Sequence, residues 1–160
     1  MQDEFTLERR VKIPDDLREL YYQVGRPTPI VRARRFEKIF NAPIEIYMKM
    51  ESYTYSGSHK IDSALVQAYY SDQEGVSFFT TETGAGQWGI AVALASTLNN
   101  LKAKIFMVSS SFPQKSYRVT MMKMLGSEVY DSPSNLTLTG KELIQCEKIR
   151  ENGRLSLVKN

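Results

Sequence analysis

Apolar and polar residues alternate along the chain in blocks that predict helices and strands in turn. After Ser58, a residue type suited to cap a helix, the apolar residues fall at the spacing of one helix face. They are Ile61, Ala64, Leu65, Ala68 and Tyr69. The same pattern predicts further helices from Pro14 and at 33–40, 87–99, 114–125 and 138–151, and strands at 44–50, 76–80, 103–108, 128–130 and 155–158.

Strands separated by helical stretches of ten or more residues imply right-handed crossovers and a parallel sheet covered on both faces. The pattern therefore predicts an α/β fold with three layers, in which helices lie on each side of a mostly parallel sheet. A chain of 160 residues, 42% of them hydrophobic, can bury one sizeable core. We expect a single domain over residues 1–160.

Charge and cysteine content exclude several functional classes. The 21 basic and 18 acidic residues give a net charge of +3 without a run of like charges, so a nucleic-acid arm is not expected. The single cysteine, Cys146, cannot form an internal disulfide, and the N-terminal residues show no signal-peptide pattern, which favours the cytoplasm. No apolar stretch is long enough to span a membrane, and no metal site is expected.

Three glycines, Gly84, Gly86 and Gly89, follow a predicted strand and precede a predicted helix. Their spacing is that of a dinucleotide-binding loop, but the next strand, at 104–109, ends in serines and carries no acidic residue to hold a ribose. The loop also carries hydroxyl and amide donors, which suit a small carboxylate or phosphate at a helix N-terminus. Spacing alone leaves a simple tight turn equally open.

Two charged residues suggest chemistry at the same edge of the sheet. Glu82 stands beside the predicted anion site, and a carboxylate repelled by an anion holds its proton more readily, as a general acid or base requires. Lys60 lies in the first turn of the predicted helix after Ser58. The strand-to-helix connection that carries it precedes the glycine loop by one strand-helix unit and occupies the corresponding position. The helix dipole disfavours a positive charge there, so this amine is a candidate nucleophile for an aldehyde. The alternative is a surface lysine.

Several stretches taken in order resemble the N-terminal half of the tryptophan synthase beta subunit. They read GRPTPIVRARRFEK, YSGSHKIDSALVQAYY, TTETGAGQWGIAVALA, FMVSSSFPQKSYRVTMMKMLGSEV and DSPS. Trp88 and the QKSYR stretch resemble the beta-2-type branch of that family. The resemblance covers residues 25–140 and leaves 141–160 as a divergent tail. It implies a fold-type II enzyme that uses pyridoxal phosphate to replace the hydroxyl of L-serine with indole.

The resemblance also implies roles for individual residues. Lys60 matches the lysine that holds the cofactor covalently, and His59 matches the histidine near the cofactor phosphate. Glu82 matches the acid-base residue of the family. The loop that binds the substrate carboxylate matches Thr83, Gly84, Ala85, Gly86 and Gln87.

The sequence departs from the family in two respects. Asp62 stands where the family usually has Asn, which places a negative charge near the cofactor. Family chains are more than twice as long, and after Gly89 only isolated glycines occur, so the glycine-rich cup for the cofactor phosphate is missing. We therefore expect a truncated, weak or inactive lyase that forms a homo-oligomer or is completed by another chain. A non-catalytic binding or assembly module and a dinucleotide-binding domain are the alternatives.

Three other side chains receive plainer interpretations. Lys115 and Arg118 lie three residues apart on one face of a predicted helix and are interpreted as solvated. Trp88 begins a nearly all-apolar helix, and the sequence favours neither a pocket-lining role nor core packing.

Overall fold

The computed structural model describes residues 7–146 of the 160. Helices are α1 Asp15–Gln23, α2 Arg34–Glu37, α3 Lys60–Gln73, α4 Gln87–Leu98, α5 Ser111–Gln114, α6 Ser116–Met124 and α7, which occupies residues 138–146. Strands are β1 Ile30–Arg32, β2 Tyr47–Lys49, β3 Phe78–Thr83, β4 Lys102–Val108 and β5 Glu128–Ser132. The predicted continuation of the last helix to 151 and the predicted strand at 155–158 lie outside the described residues.

Strands β3, β4 and β5 form a parallel sheet in that order, and β4 is the central strand. Helix α4 connects β3 to β4, while α5 and α6 connect β4 to β5. Residues of β4 alternate between buried and partly exposed, and Ala103, Ile105 and Met107 point into the core. The α/β class with a parallel sheet flanked by helices is confirmed.

The opposite face of this sheet keeps part of its surface in solvent. It carries an aromatic pair, Phe106 and Tyr130, with ring centroids 5.8 Å apart. The ammonium group of Lys104 lies 5.2 Å from the ring centroid of Phe78 on the same face. Because Phe78 is 39% exposed, the cover predicted for this second face is incomplete within residues 7–146.

Helix α4 is apolar on nearly every side because it lies between the sheet and α3. Its buried residues include Ile90, Val92 and Ala95, and its closest helical neighbour is α3. The helix pattern predicted after Ser58 is confirmed, since α3 turns Ile61 and Leu65 fully inward. This α3–α4 pair is the centre of the hydrophobic core.

The structure corrects three predicted details. Strand β2 pairs antiparallel with β1 in a separate two-stranded sheet, so the predicted strand at 44–50 is not a member of the parallel sheet. The helix predicted at 114–125 is observed as α6, but it begins at Ser116, because Lys115, with φ −117° and ψ 39°, separates it from the short α5. Ser58 does not cap α3, because its side-chain oxygen is buried without a hydrogen-bond partner among the described residues and His59 is the N-cap.

Candidate functional site

The glycine loop between β3 and α4 leaves a set of backbone donors without acceptors. Gly86 is the N-cap of α4 and has a left-handed φ of 92°, which glycine adopts without steric cost. The N–H groups of Gly86, Gln87 and Trp88 have no hydrogen-bond acceptor in the described part of the chain. Free N–H groups together with the helix dipole favour an anion at this position.

Gly89 allows α4 to lie close against the sheet. A Cβ atom placed on Gly89 would stand 2.5 Å from the Sδ of Met122, 3.0 Å from the Cγ2 of Thr83 and 3.1 Å from the Cγ2 of Ile105. No real side chain fits at these distances. The third glycine of the motif is therefore required for helix-to-strand packing.

Threonine hydroxyls in β3 accept hydrogen bonds from the first turn of α4. Thr83 is 4% exposed, and its Oγ1 accepts a hydrogen bond from the Gly89 N–H at 3.2 Å. The indole N–H of Trp88 donates to Thr81 Oγ1 at 2.8 Å. Trp88 is half-buried and packs against the core, so its ring serves the packing of α4 on β3.

Arg118 contacts the glycine loop, which the sequence interpretation of a solvated side chain missed. Its Nη1 donates to the carbonyl oxygen of Ala85 at 2.6 Å, and its guanidinium lies 5.4 Å from the ring centroid of Tyr117. A Cβ on Gly86 would lie 3.1 Å from the Arg118 Cδ. The solvated interpretation is incomplete for Arg118, because α6 turns this partly exposed side chain onto the loop. The only sequence signal was its position in the QKSYR stretch.

Glu82 lies beside the loop on the partly open face of the sheet. It is the residue before Thr83 in β3, and its side chain is exposed while that of Thr83 is buried. Strand alternation explains this difference, since neighbouring residues point to opposite faces. The carboxylate is thus open to solvent near the carboxyl end of β3.

Lys60 and His59 lie at the beginning of α3. Lys60 is the first residue of the helix and is half-buried, whereas His59 is exposed. The buried, unpartnered Oγ of Ser58 directly precedes this pair. Among the described residues, no hydrogen bond joins Lys60 or His59 to the glycine loop.

Asp62 is engaged by Arg26 and is not a free negative charge. Arg26 Nε donates to Asp62 Oδ1 at 2.7 Å, and a second guanidinium nitrogen donates to Oδ2. Arg26 also donates to Glu51 at 3.1 Å, and the bond to Asp62 raises the pKa of Arg26. The hydroxyl of Tyr21 donates to the backbone oxygen of Asp62, and burial raises the pKa of this phenol.

The family model for the pyridoxal-phosphate dependent enzymes matches residues 21–157. The chain belongs to this family. The match covers most of the chain and reaches past the 25–140 range of the motif resemblance at both ends.

Relatives of this family carry closely similar sequences. The tryptophan synthase beta chain of Thermoplasma acidophilum is 52% identical over 145 residues, which are 91% of this chain and 34% of the relative. Tryptophan synthase beta chain 2 of Sulfurisphaera tokodaii is 53% identical over 141 residues, 88% of this chain and 33% of the relative. Tryptophan synthase beta chain 2 of Pyrococcus furiosus is 46% identical over 144 residues, 90% of this chain and 32% of the relative. The chain spans about a third of the length of these curated relatives.

Membrane-spanning helices and metal-ligand clusters are both absent from residues 7–146. No helix in this range is long and apolar enough to cross a membrane. No three His, Cys, Asp or Glu side chains in the same range come together as ligands for a metal ion.

Proposed function

We propose that this chain carries the amine, acid-base and carboxylate-binding elements of a pyridoxal-phosphate dependent lyase of the tryptophan synthase beta type. Its substrates are L-serine and indole. The observation that carries the proposal is the group of free N–H donors at Gly86, Gln87 and Trp88, beside an accessible Glu82. Family membership and the identity to tryptophan synthase beta chains support it.

Chain connections support a common edge for the two parts of this site. Helix α3 ends at Gln73 and β3 begins at Phe78, so the C-terminus of α3 lies near the start of β3. Helix α4 begins just after β3 ends and packs along α3. The N-termini of both helices then face the carboxyl edge of the sheet, where ligands of α/β folds bind.

The residues at the start of α3 are suited to hold the aldehyde and the phosphate of pyridoxal phosphate. Lys60 offers an amine in the half-buried first turn of the helix. The buried Oγ of Ser58 has no partner in residues 7–146, and an unpaired buried hydroxyl is a donor for a ligand oxygen. His59 and the N-terminus of α3 favour the cofactor phosphate.

Each residue then has a defined task. Lys60 would hold pyridoxal phosphate through its amine, and the bound cofactor would supply an electron sink for the substrate α-carbon. The loop from Thr83 to Gln87 binds the serine carboxylate through backbone N–H groups. Glu82 holds and moves the proton at the serine hydroxyl, since it is exposed beside the loop.

The chain alone is expected to be weak or inactive, because Gly126 and Gly140 are isolated and offer no glycine-rich cup for the phosphate. The second candidate is a non-catalytic binding or assembly module derived from the same family. The exposed face of the sheet around Phe78 favours this candidate, since such surface is suited to a partner.

Covalent labelling tests the proposal. The chain is incubated with pyridoxal phosphate, reduced with borohydride and analysed by peptide mass spectrometry. We expect the label to concentrate on Lys60 among the 11 lysines. Lys60→Arg should remove this label, whereas Lys123→Arg, which replaces an exposed lysine of α6, should keep it. A label spread evenly over the lysines of a folded protein favours the non-catalytic module.

A further inference from the structure

Arg118 and the glycine loop belong to different crossover connections of the sheet. Arg118 lies in α6, after β4, whereas the loop follows β3. Their hydrogen bond, from Arg118 Nη1 to the Ala85 oxygen at 2.6 Å, is short even for a charged donor. It joins the loop to a helix that is itself anchored in the core by Val119 and Met122.

The bond fixes the direction of one peptide unit. The peptide between Ala85 and Gly86 is trans, so its C=O and N–H point in opposite directions. Because the Ala85 oxygen is turned to Arg118, the Gly86 N–H is turned away from it and has no acceptor in the described chain.

We propose that Arg118 is a positioning residue that orients the Gly86 N–H to receive the substrate carboxylate. This inference rests on the carboxylate cradle of the proposed function. It assigns Arg118 to the support of the loop and not to direct contact with the reacting atoms.

Two further observations support this role. A positive charge near the N-terminus of α4 or of α6 is unfavourable for that helix. The stability of these helices therefore does not explain why an arginine lies at position 118. Gly86 lacks a side chain where Arg118 passes, since a Cβ there would lie 3.1 Å and 3.2 Å from two carbons of Arg118. The glycine loop and the Arg118 side chain therefore have complementary shapes.

The first measurement uses the unliganded chain and amide NMR. In Arg118→Met the Gly86 and Gln87 amide resonances should move or broaden, because the peptide is released from its fixed direction. Arg118→Lys should restore much of the wild-type signal, since an ammonium group can also donate to the Ala85 oxygen. Lys123→Met removes an equal charge from an exposed position of the same helix and should leave both resonances unchanged.

The second measurement compares two stable ligands that differ in one group. Phosphopyridoxyl-L-serine carries the carboxylate, and phosphopyridoxyl-ethanolamine lacks it. We expect the wild-type chain to prefer the serine conjugate, and Arg118→Met to reduce that preference about tenfold, the size of one charged hydrogen bond. Lys123→Met should retain it.

The outcomes separate the two proposals. Unchanged Gly86 resonances and an unchanged preference in Arg118→Met would overturn the positioning role while leaving the cradle in place. Equal binding of both conjugates by the wild-type chain would overturn the carboxylate cradle itself. If binding is lost in Arg118→Met without any change at Gly86, the charge of Arg118 acts directly and the positioning role is wrong.

Discussion

Arg26 and Asp62 join the loop after α1 to the first turn of α3 through two hydrogen bonds, one of them 2.7 Å long from Nε to Oδ1. Their side chains are only 21% and 28% exposed. The negative charge of Asp62 is matched within this pair by an arginine. The pair also holds the turn that carries Lys60.

Loss of this pair should lower the free energy of unfolding. Arg26→Met leaves Asp62 without its cationic partner and Glu51 with only Lys49, 4.0 Å away, and should cost about 2 kcal/mol in a urea titration. Asp62→Asn keeps an oxygen acceptor for Arg26 and should cost less. Arg18→Met breaks an exposed pair with Asp15 and should change stability by less than about 0.5 kcal/mol. Equal effects for Arg26 and Arg18 would contradict this account.

Gly89→Ala should destabilise the chain by about 1–3 kcal/mol, because the new methyl group meets Met122, Thr83 and Ile105 in a packed interior. The matched control is Gly84→Ala, since nothing lies within 4 Å of a Cβ at that position. Thermal unfolding followed by circular dichroism measures both. A small loss for Gly89→Ala would mean that α4 can move away from the sheet.

Glu82→Gln should leave the fold unchanged and remove proton transfer. The side chain is exposed, so the free energy of unfolding should change by less than about 0.5 kcal/mol. Any elimination of the serine hydroxyl, followed as pyruvate, that the wild-type chain supports with pyridoxal phosphate should be lost. Glu128→Gln alters another exposed carboxylate of the same sheet and should retain that elimination. A large drop in melting temperature would show that Glu82 is structural.

The chain alone should not make tryptophan at a useful rate. Losing several charged hydrogen bonds to the cofactor phosphate weakens binding by orders of magnitude. A cofactor displaced by about 1 Å can also cost about a hundredfold in rate. Purified chain, serine, indole and excess pyridoxal phosphate are followed by tryptophan absorbance. Steady turnover would contradict this expectation.

The chain should associate into a homodimer. The segment from β1 to β2 exposes several large apolar side chains, among them Ile30 at 65%, Ile39 at 72% and Phe36 at 57%. Two strands by themselves are marginally stable, and burying apolar surface stabilises by about 25 cal/mol per Å². Light scattering should give about twice the 18.3 kDa of one chain, because twofold-symmetric dimers are the commonest homo-oligomers.

A pair of variants tests where the dimer forms. Ile39→Glu should return the monomer, because a charge in an apolar interface is costly. Met124→Glu alters an even more exposed residue, at the end of α6, and should leave the dimer intact. A wild-type monomer at micromolar concentration would contradict the prediction.

The fold of the core could be predicted from the sequence because its signals are local. The apolar spacing of α3 indicates which side of that helix is buried. The unbroken apolar run of α4 indicates burial on nearly every side. The glycine loop was readable only in part, since the left-handed N-cap at Gly86 is local but the close packing at Gly89 depends on Met122 and Ile105 in other elements. The periods of α3 and α4 depend on neighbouring residues alone.

The tertiary structure decided which distant elements meet. Strand character at 47–49 was readable, but its antiparallel pairing with β1 depends on a partner that the local pattern does not specify. Arg118 looked solvated because its contact, the Ala85 carbonyl, lies 33 residues away on another connection. The sequence thus determined the elements, since helix and strand periods are properties of a short segment. The partners of Arg26, Arg118 and β2 were decided only when the packing of the whole chain brought remote residues together.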